Sequence, residues 1–180
     1  MENLKGILEK VELHDMDISG WLTHFPEKLK QFVMANNYYW GLAAYIELYN
    51  VKYVLEFGTC TGSSAVIMSQ AGSAVDTYDL NDIWQLPGCP DNVTCFIAED
   101  VRYIHSVSLE PYDMIFVDID HMGVEERNLH HKFIKEEYKG VVFYDDIWFN
   151  TEMREFWDSI DQEKQSCFWH KTSGFGVVRY

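Results

Sequence analysis

The apolar residues of this chain change their period near residue 50. Before it, Leu4, Ile7, Leu8 and Val11 recur at intervals of three and four, the spacing of one helical face. Pro26, suited to a helix's first turn, opens a second such pattern with Leu29, Phe32 and Val33 on one side. Tyr38 to Tyr49 is apolar nearly all round, as in a helix covered on every side. Beyond it the apolar residues gather into strand-length runs at Val51–Phe57, Ala74–Leu80, Val93–Ala98, Tyr112–Val117 and Val141–Tyr144. Helical patterns fall at Ser63–Gln70, stopped near Gly72, at Glu125–Tyr138 and at Thr151–Ile160. Cys167–Lys171 and Phe175–Tyr180, on either side of Thr172-Ser173-Gly174, read as a closing antiparallel pair.

This order predicts an α/β protein: a Rossmann-like, doubly wound, mostly parallel seven-stranded sheet with a C-terminal antiparallel hairpin and an N-terminal helical cap. Residues 1–50 form the cap and 51–180 the sheet-bearing part of the same domain, since 180 residues make one core of ordinary size. A net charge of −15, from 29 acidic and 14 basic residues, argues against phosphate-rich partners, so neither nucleic acid nor an anionic membrane is expected. The first twenty residues lack an apolar core flanked by positive charge, and no apolar run is long enough for a bilayer; a cytoplasmic location is the expectation. Cys60, Cys89, Cys95 and Cys167 contain no C-x-x-C pair, so neither a zinc knuckle nor a disulfide framework is signalled. They are expected to be reduced, and whether the chain forms a homo-oligomer is left open.

The most specific stretch is Val54-Leu55-Glu56-Phe57-Gly58-Thr59-Cys60-Thr61-Gly62-Ser63-Ser64. A buried strand ends on an acid and turns through two glycines into a helix. Gly58 admits a ligand close to the backbone, and Gly62 can take positive φ at a tight turn. Glu56 repels phosphate and attracts an ammonium or a hydroxyl. Counting from Gly58, Cys60 and Ser63 stand where the dinucleotide pattern G-x-G-x-x-G needs glycine, which disfavours a pyrophosphate guest.

Four of these strand-length runs end on acids: Glu56, Asp79, Asp118, and Asp145 with Asp146. Ligands of open parallel sheets bind beyond these strand ends, so one rim collects the charge. Asp79 lies 21 residues after Gly58, near the interval at which an acid meets a ribose, and Glu99 with Asp100 is placed to receive an adenine amino group. Three carboxylates on one rim repel unless one is protonated or a cation joins them. Oxygen-only donors at Asp118, Asp145 and Asp146 suit Mg²⁺, Mn²⁺ or Ca²⁺ rather than zinc.

Glu56, Gly58 and Gly62 match the first motif of the class I S-adenosylmethionine-dependent methyltransferases, which this chain resembles from about Val51 to its end. The resemblance implies S-adenosyl-L-methionine as cofactor. Glu56 and the loop of Gly58, Thr59, Gly62 and Ser63 would face its methionine part, Asp79 its ribose, and Glu99, Asp100 and Val101 its adenine, with Asp118 also among the cofactor-binding residues. Phe116-Val117-Asp118-Ile119-Asp120-His121 and Val142-Phe143-Tyr144-Asp145-Asp146 resemble the metal-dependent O-methyltransferases of the catechol, caffeoyl-coenzyme A and bacterial sugar types. Their lysine base is replaced here by His121, and their amide by Asp146, wording closer to the bacterial enzymes that act on sugars and small polyols. The implied enzyme methylates a hydroxyl of a small molecule, with Asp118 and His121 as catalytic residues and a divalent metal, Mg²⁺ first, at Asp118, Asp145 and Asp146. His121 remains open to a base, a ligand or a structural role. The alternatives are an S-adenosylmethionine enzyme of another reaction type, such as a hydroxylase, decarboxylase or lyase, and an inactive binding module. Trp84, Trp148 and Phe149 follow strands and either wall an acceptor pocket or pack on their own scaffold, while His130 and His131 are expected at the surface.

Overall fold

A computed structural model describes residues 3–14, 16–23, 25–82, 84–167 and 173–180. The N-terminal part is helical, with α1 Leu4–Leu13, a 3-10 turn Ser19–Leu22, α2 Glu27–Ala35 and α3 Asn37–Tyr49. Strands and helices then alternate: β1 Tyr53–Phe57, α4 Ser63–Gln70, β2 Ala74–Asp79, β3 Val93–Ile97, α5 Val101–Ser106, β4 Met114–Val117, α6 Val124–Lys135, β5 Val141–Asp145 and α7 Thr151–Asp158. β6 Lys164–Cys167 and β7 Phe175–Arg179 complete the sheet. Its order is β3-β2-β1-β4-β5-β7-β6, parallel up to β5 and antiparallel at β7 and β6. This is the Rossmann-like, mostly parallel sheet that the order of patterns predicts. The direction of winding reverses between β1 and β4, where such sheets hold their ligands.

Strand alternation sorts the core into two layers. Val54, Met114, Phe116, Val141 and Phe143 face one layer, shared with α1, α3 and α4; Leu55, Phe57, Ile115, Val117 and Tyr144 face the other, shared with α6 and α7. The all-round apolar helix α3 is thus buried between the sheet and α1, as its composition requires. Among the described residues no helix is long and apolar enough to cross a membrane.

Four local expectations need correction. Helix α5 has no apolar period to reveal it; Asp100 starts it by accepting the Arg102 backbone N–H at 2.8 Å. The first arm of the hairpin already pairs from Lys164, upstream of the expected start at Cys167, because Lys164-Gln165-Ser166 is a half-buried edge whose polar residues hide a strand; residues 168–172 of the expected arm and turn lie outside the described residues. Helix α6 stops at Lys135, ended by Glu137 at φ 53° and by the Tyr138 N–H donating to Phe133 O at 3.0 Å. His130 is buried, not surface: its Nδ1 hydrogen-bonds with the Tyr180 hydroxyl, and desolvation pulls its pKa down to about 4.

Candidate active site

A cavity of about 830 Å³ opens at the carboxyl ends of β1, β2, β4 and β5. Its floor carries Gly58, Thr59, Ser63, Asp79, Asp118 and Asp146. Val101 and Ile104 of α5 wall one side, and the cap closes the other with Lys28, Leu29 and Phe32 of α2 and Tyr38 and Tyr39 of α3. The two tyrosine rings stack at 4.2 Å, and Tyr38 stacks in turn on Phe175 at 5.3 Å, which fixes the aromatic wall to the sheet. Sequence reasoning missed this wall, because Leu29 and Phe32 read only as one side of an amphipathic helix.

Glu56 sits at the end of β1 on the face covered by α4 and is fully buried. The Thr77 hydroxyl, its neighbour across the strand pair, donates to Glu56 Oε2 at 2.5 Å, and Thr77 meets Thr59 at 2.6 Å. Oε1 has no hydrogen-bond partner. Burial raises the carboxyl pKa to about 7, against the lowering effect of hydrogen bonds from Ser64 and Thr77. Glu56 therefore supports the loop from below rather than lining the cavity.

Gly58 directly follows β1, and its backbone lies against that of Asp118, which directly follows β4. Its φ is +102°, and a Cβ there would lie 1.6 Å from the Asp118 carbonyl oxygen. Gly62 also has positive φ, but a Cβ on it would meet the Trp84 ring at 2.4 Å; it serves the packing of the loop and does not line the cavity. The loop is held further by Asp79, whose Oδ2 accepts the Cys60 N–H at 2.9 Å while Oδ1 accepts that of Asn81 at 3.0 Å. Each oxygen keeps a lone pair free for a hydroxyl.

On the wall of α5, Val101 lines the cavity but Glu99 and Asp100 do not. Glu99 is exposed, and Asp100 caps α5 and pairs with Arg102 at 2.6 Å, so the structure does not bring either to the expected adenine position. His105 and Glu125, which no sequence pattern singles out, both line the cavity and pair at its wall, His105 Nε2 lying 2.8 Å from Glu125 Oε2. Of the aromatic loop residues, Trp84 packs on Gly62 and Trp148 on Gly174, and Phe149 stands 5.9 Å from the His121 ring; none lines the cavity.

Asp118, Asp145, Asp146 and His121 share the rim. His121 Nε2 lies 3.4 Å from Asp118 Oδ1 and 3.6 Å from Asp146 Oδ2. Burial, then the charges of Asp146 and Glu56, push the Asp118 pKa up to about 8; burial, Asp118 and Asp146 raise that of Asp145 well above the usual range. The Asp145 carboxylate accepts the Asp146 N–H at 2.8 Å. Behind the rim, Glu126 accepts the His121 N–H at 3.0 Å and Asn150 donates to the His121 carbonyl at 2.7 Å, so that residue is clamped from both sides. Cys60, His121 and Asp146 all have positive φ without being glycine. Strain of this kind persists where surrounding contacts over-determine the backbone, as at binding sites.

The donor chemistry of Asp118, Asp145 and Asp146 suits a hard dication, whose charge would relieve their repulsion. Among the described residues, however, no group of three or more His, Cys, Asp or Glu side chains converges closely enough to hold a metal. His121 stands between two of the carboxylates.

A strand-end cavity at the winding reversal, with a glycine loop on one side and an acidic rim on the other, defines a small-molecule site of the Rossmann-like class. Known structures sharpen the comparison. The chain is similar to an SAH-bound methyltransferase of Podospora anserina, at 13% identity over 97% of this chain and 87% of that one, with a TM-score of 0.61. A Staphylococcus aureus protein assigned as a caffeoyl-CoA O-methyltransferase matches at 15% identity over 98% and 99% of the two chains, TM-score 0.62. An O-methyltransferase of Bacillus cereus in complex with SAH matches at 16% identity over 97% and 91%, TM-score 0.55. At these identities the likeness establishes the fold, which this chain shares with those proteins. No family profile matches the chain, and no curated protein matches its sequence.

Proposed function

We propose that this chain transfers the methyl group of S-adenosyl-L-methionine to a hydroxyl of a small molecule, a sugar, polyol or phenol. One observation carries the reading: the strand-end rim that lines the cavity is anionic and lies over a glycine loop, a pairing that favours a sulfonium donor over a phosphate. The likeness to SAH-bound methyltransferases supports it.

In this reading Gly58, Thr59 and Ser63 line the methionine end and Asp79 accepts ribose hydroxyls. The cofactor supplies an electrophilic methyl group on a positively charged sulfur. The aromatic wall of Tyr38, Tyr39 and Phe32 excludes water and holds the acceptor, so that much of the rate comes from alignment in a dry site. His121 Nε2, beside Asp118, takes the proton from the acceptor hydroxyl, and Asp118 stabilises the imidazolium that results. A divalent cation, Mg²⁺ first, would be held by Asp118, Asp145 and Asp146 and would lower the acceptor's pKa. The raised pKa values of Asp118 and Asp145 support a need for positive charge there.

The test follows SAH formation from the methyl donor with a panel of sugars, polyols and phenols, with Mg²⁺ and with chelator. His121→Ala is expected to lower kcat by about 10²- to 10⁴-fold while leaving the Kd for the donor unchanged. His121→Asn, which tolerates the left-handed backbone at φ 57°, should behave alike and so exclude strain as the cause. Turnover equal to wild type in both variants removes His121 from the mechanism. Full activity in chelator assigns the reaction to the His121–Asp118 pair alone.

A further inference from the structure

The connection between β2 and β3 lies over the cofactor loop and carries chemistry that methyl transfer does not use. It is pinned at two places. At one, the Trp84 ring covers Gly62 and the Gln85 N–H donates to Thr61 O at 3.2 Å. At the other, Cys89 Sγ lies 3.7 Å from Cys95 Sγ on the edge strand β3 and 3.3 Å from the Val93 carbonyl oxygen. Both thiols are exposed, and they are six residues apart in sequence. Between the two anchors, Trp84 Nε1 donates to Leu86 O at 3.0 Å and Gly88 O at 3.2 Å, which ties the tryptophan to the segment entering Cys89.

We propose that Cys89 and Cys95 are a reversible oxidation site, a dithiol that closes to a disulfide and thereby fixes the loop holding Trp84 over the cofactor turn. A disulfide needs its sulfurs about 2 Å apart and its Cβ atoms roughly 3.5–4.5 Å apart, so thiols already in van der Waals contact need only a small shift. The neighbouring chain permits it: one partner lies on an edge strand with a free flank and the other in a connection without regular structure. The pair is separate from the catalytic rim, and the inference stands whether or not the chain transfers methyl groups.

The co-reactant is a low-molecular-weight disulfide such as oxidised glutathione. The thiolate of Cys89 attacks one of its sulfurs, breaking that S–S bond, releasing one small thiol and leaving a mixed disulfide. Cys95 then attacks the Cys89 sulfur, releasing the second small thiol as the Cys89–Cys95 bond forms. Two protein thiols are oxidised, one disulfide is reduced to two thiols, and the two protons leave with the released thiols. Cys95 is the second to react because partial desolvation of its sulfur, in a residue otherwise exposed, and its hydrogen bond with Cys89 push its pKa up to about 12.

The experiment treats the whole chain with oxidised glutathione, unfolds it, alkylates the remaining thiols and maps the peptides. An intramolecular Cys89–Cys95 link is expected, with Cys60 and Cys167 alkylated. Cys95→Ser should trap glutathione on Cys89, and Cys89→Ser should abolish the link. Hydrogen exchange over residues 84–93 should slow at least threefold on oxidation and recover in dithiothreitol. Four alkylated cysteines after treatment, glutathione retained on Cys89 of the wild type, a link between two chains, or unchanged exchange in the oxidised protein would each overturn the proposal.

Discussion

Gly58→Ala should lower stability by roughly 3 to 5 kcal/mol, combining left-handed backbone strain with forced separation of two strands. Its φ of +102° is unfavourable for any side chain, and the added methyl would lie 1.6 Å from the Asp118 carbonyl. That oxygen is backbone at the end of β4, beside Asp118 N, which donates to Phe57 O at 2.8 Å; relief therefore requires β1 and β4 to part. The midpoint of urea unfolding should fall while its slope stays constant. Gly72→Ala is the control: it shares a φ of +106° but has open space around it, so it isolates the strain. Equal losses in the two variants would show that the approach to Asp118 carries no weight.

The second large effect is an inverted dependence on pH. Glu56 and Glu126 have pKa values raised to about 7, and Asp118 to about 8, each chiefly by burial. Unfolded, such acids ionise near ~4. Between those limits the folded chain holds protons that the unfolded chain has lost, so stability is full below about pH 4.5 and falls as pH rises through about 7 to 8. His130 opposes this: its pKa of about 4 lies below the ordinary value, which adds stability as pH rises from about 4 to 6.5. Several acids outweigh one histidine, and the net curve descends. Urea midpoints at pH 5 and pH 8 measure it, and Glu56→Gln should flatten the descent by roughly 2 to 3 kcal/mol. A midpoint higher at pH 8 than at pH 5 would contradict the buried, uncompensated charge at the rim.

The sheet and the acids at its strand ends were legible in the sequence for one reason. Strand-length apolar runs are largely buried, so the first charged residue after each marks the approach to the strand-end rim; Asp79 and Asp118 stand at the exit from the core, while Asp145 still lies at the buried end of β5. Glu56 marks the end of its run as well, yet remains inside, where the Thr77 hydroxyl donates to it. The cap's part in the site was not legible. Leu29 and Phe32 sit on an amphipathic helix, and only the folded cap shows that they meet the cavity. Helix α5 has six residues and one buried position, too few to leave a period. His130 lies in a helix rich in charge, where nothing in the pattern points to the Tyr180 hydroxyl 50 residues later. The His105–Glu125 pair is likewise a contact made by two helices that only the sheet brings together.

In the proposed reading the anionic rim over the Gly58 loop selects a sulfonium nucleoside. Calorimetric titration of S-adenosylmethionine and SAH into the chain, with Mg²⁺ and with chelator, tests it most directly when repeated on Asp79→Ala. Both nucleosides should bind the wild type, and loss of the Asp79 carboxylate, which holds the Cys60 amide and in the proposed reading receives the ribose, should weaken both at least tenfold. Absence of binding by either nucleoside under every condition, or affinity unchanged in Asp79→Ala, would contradict the account.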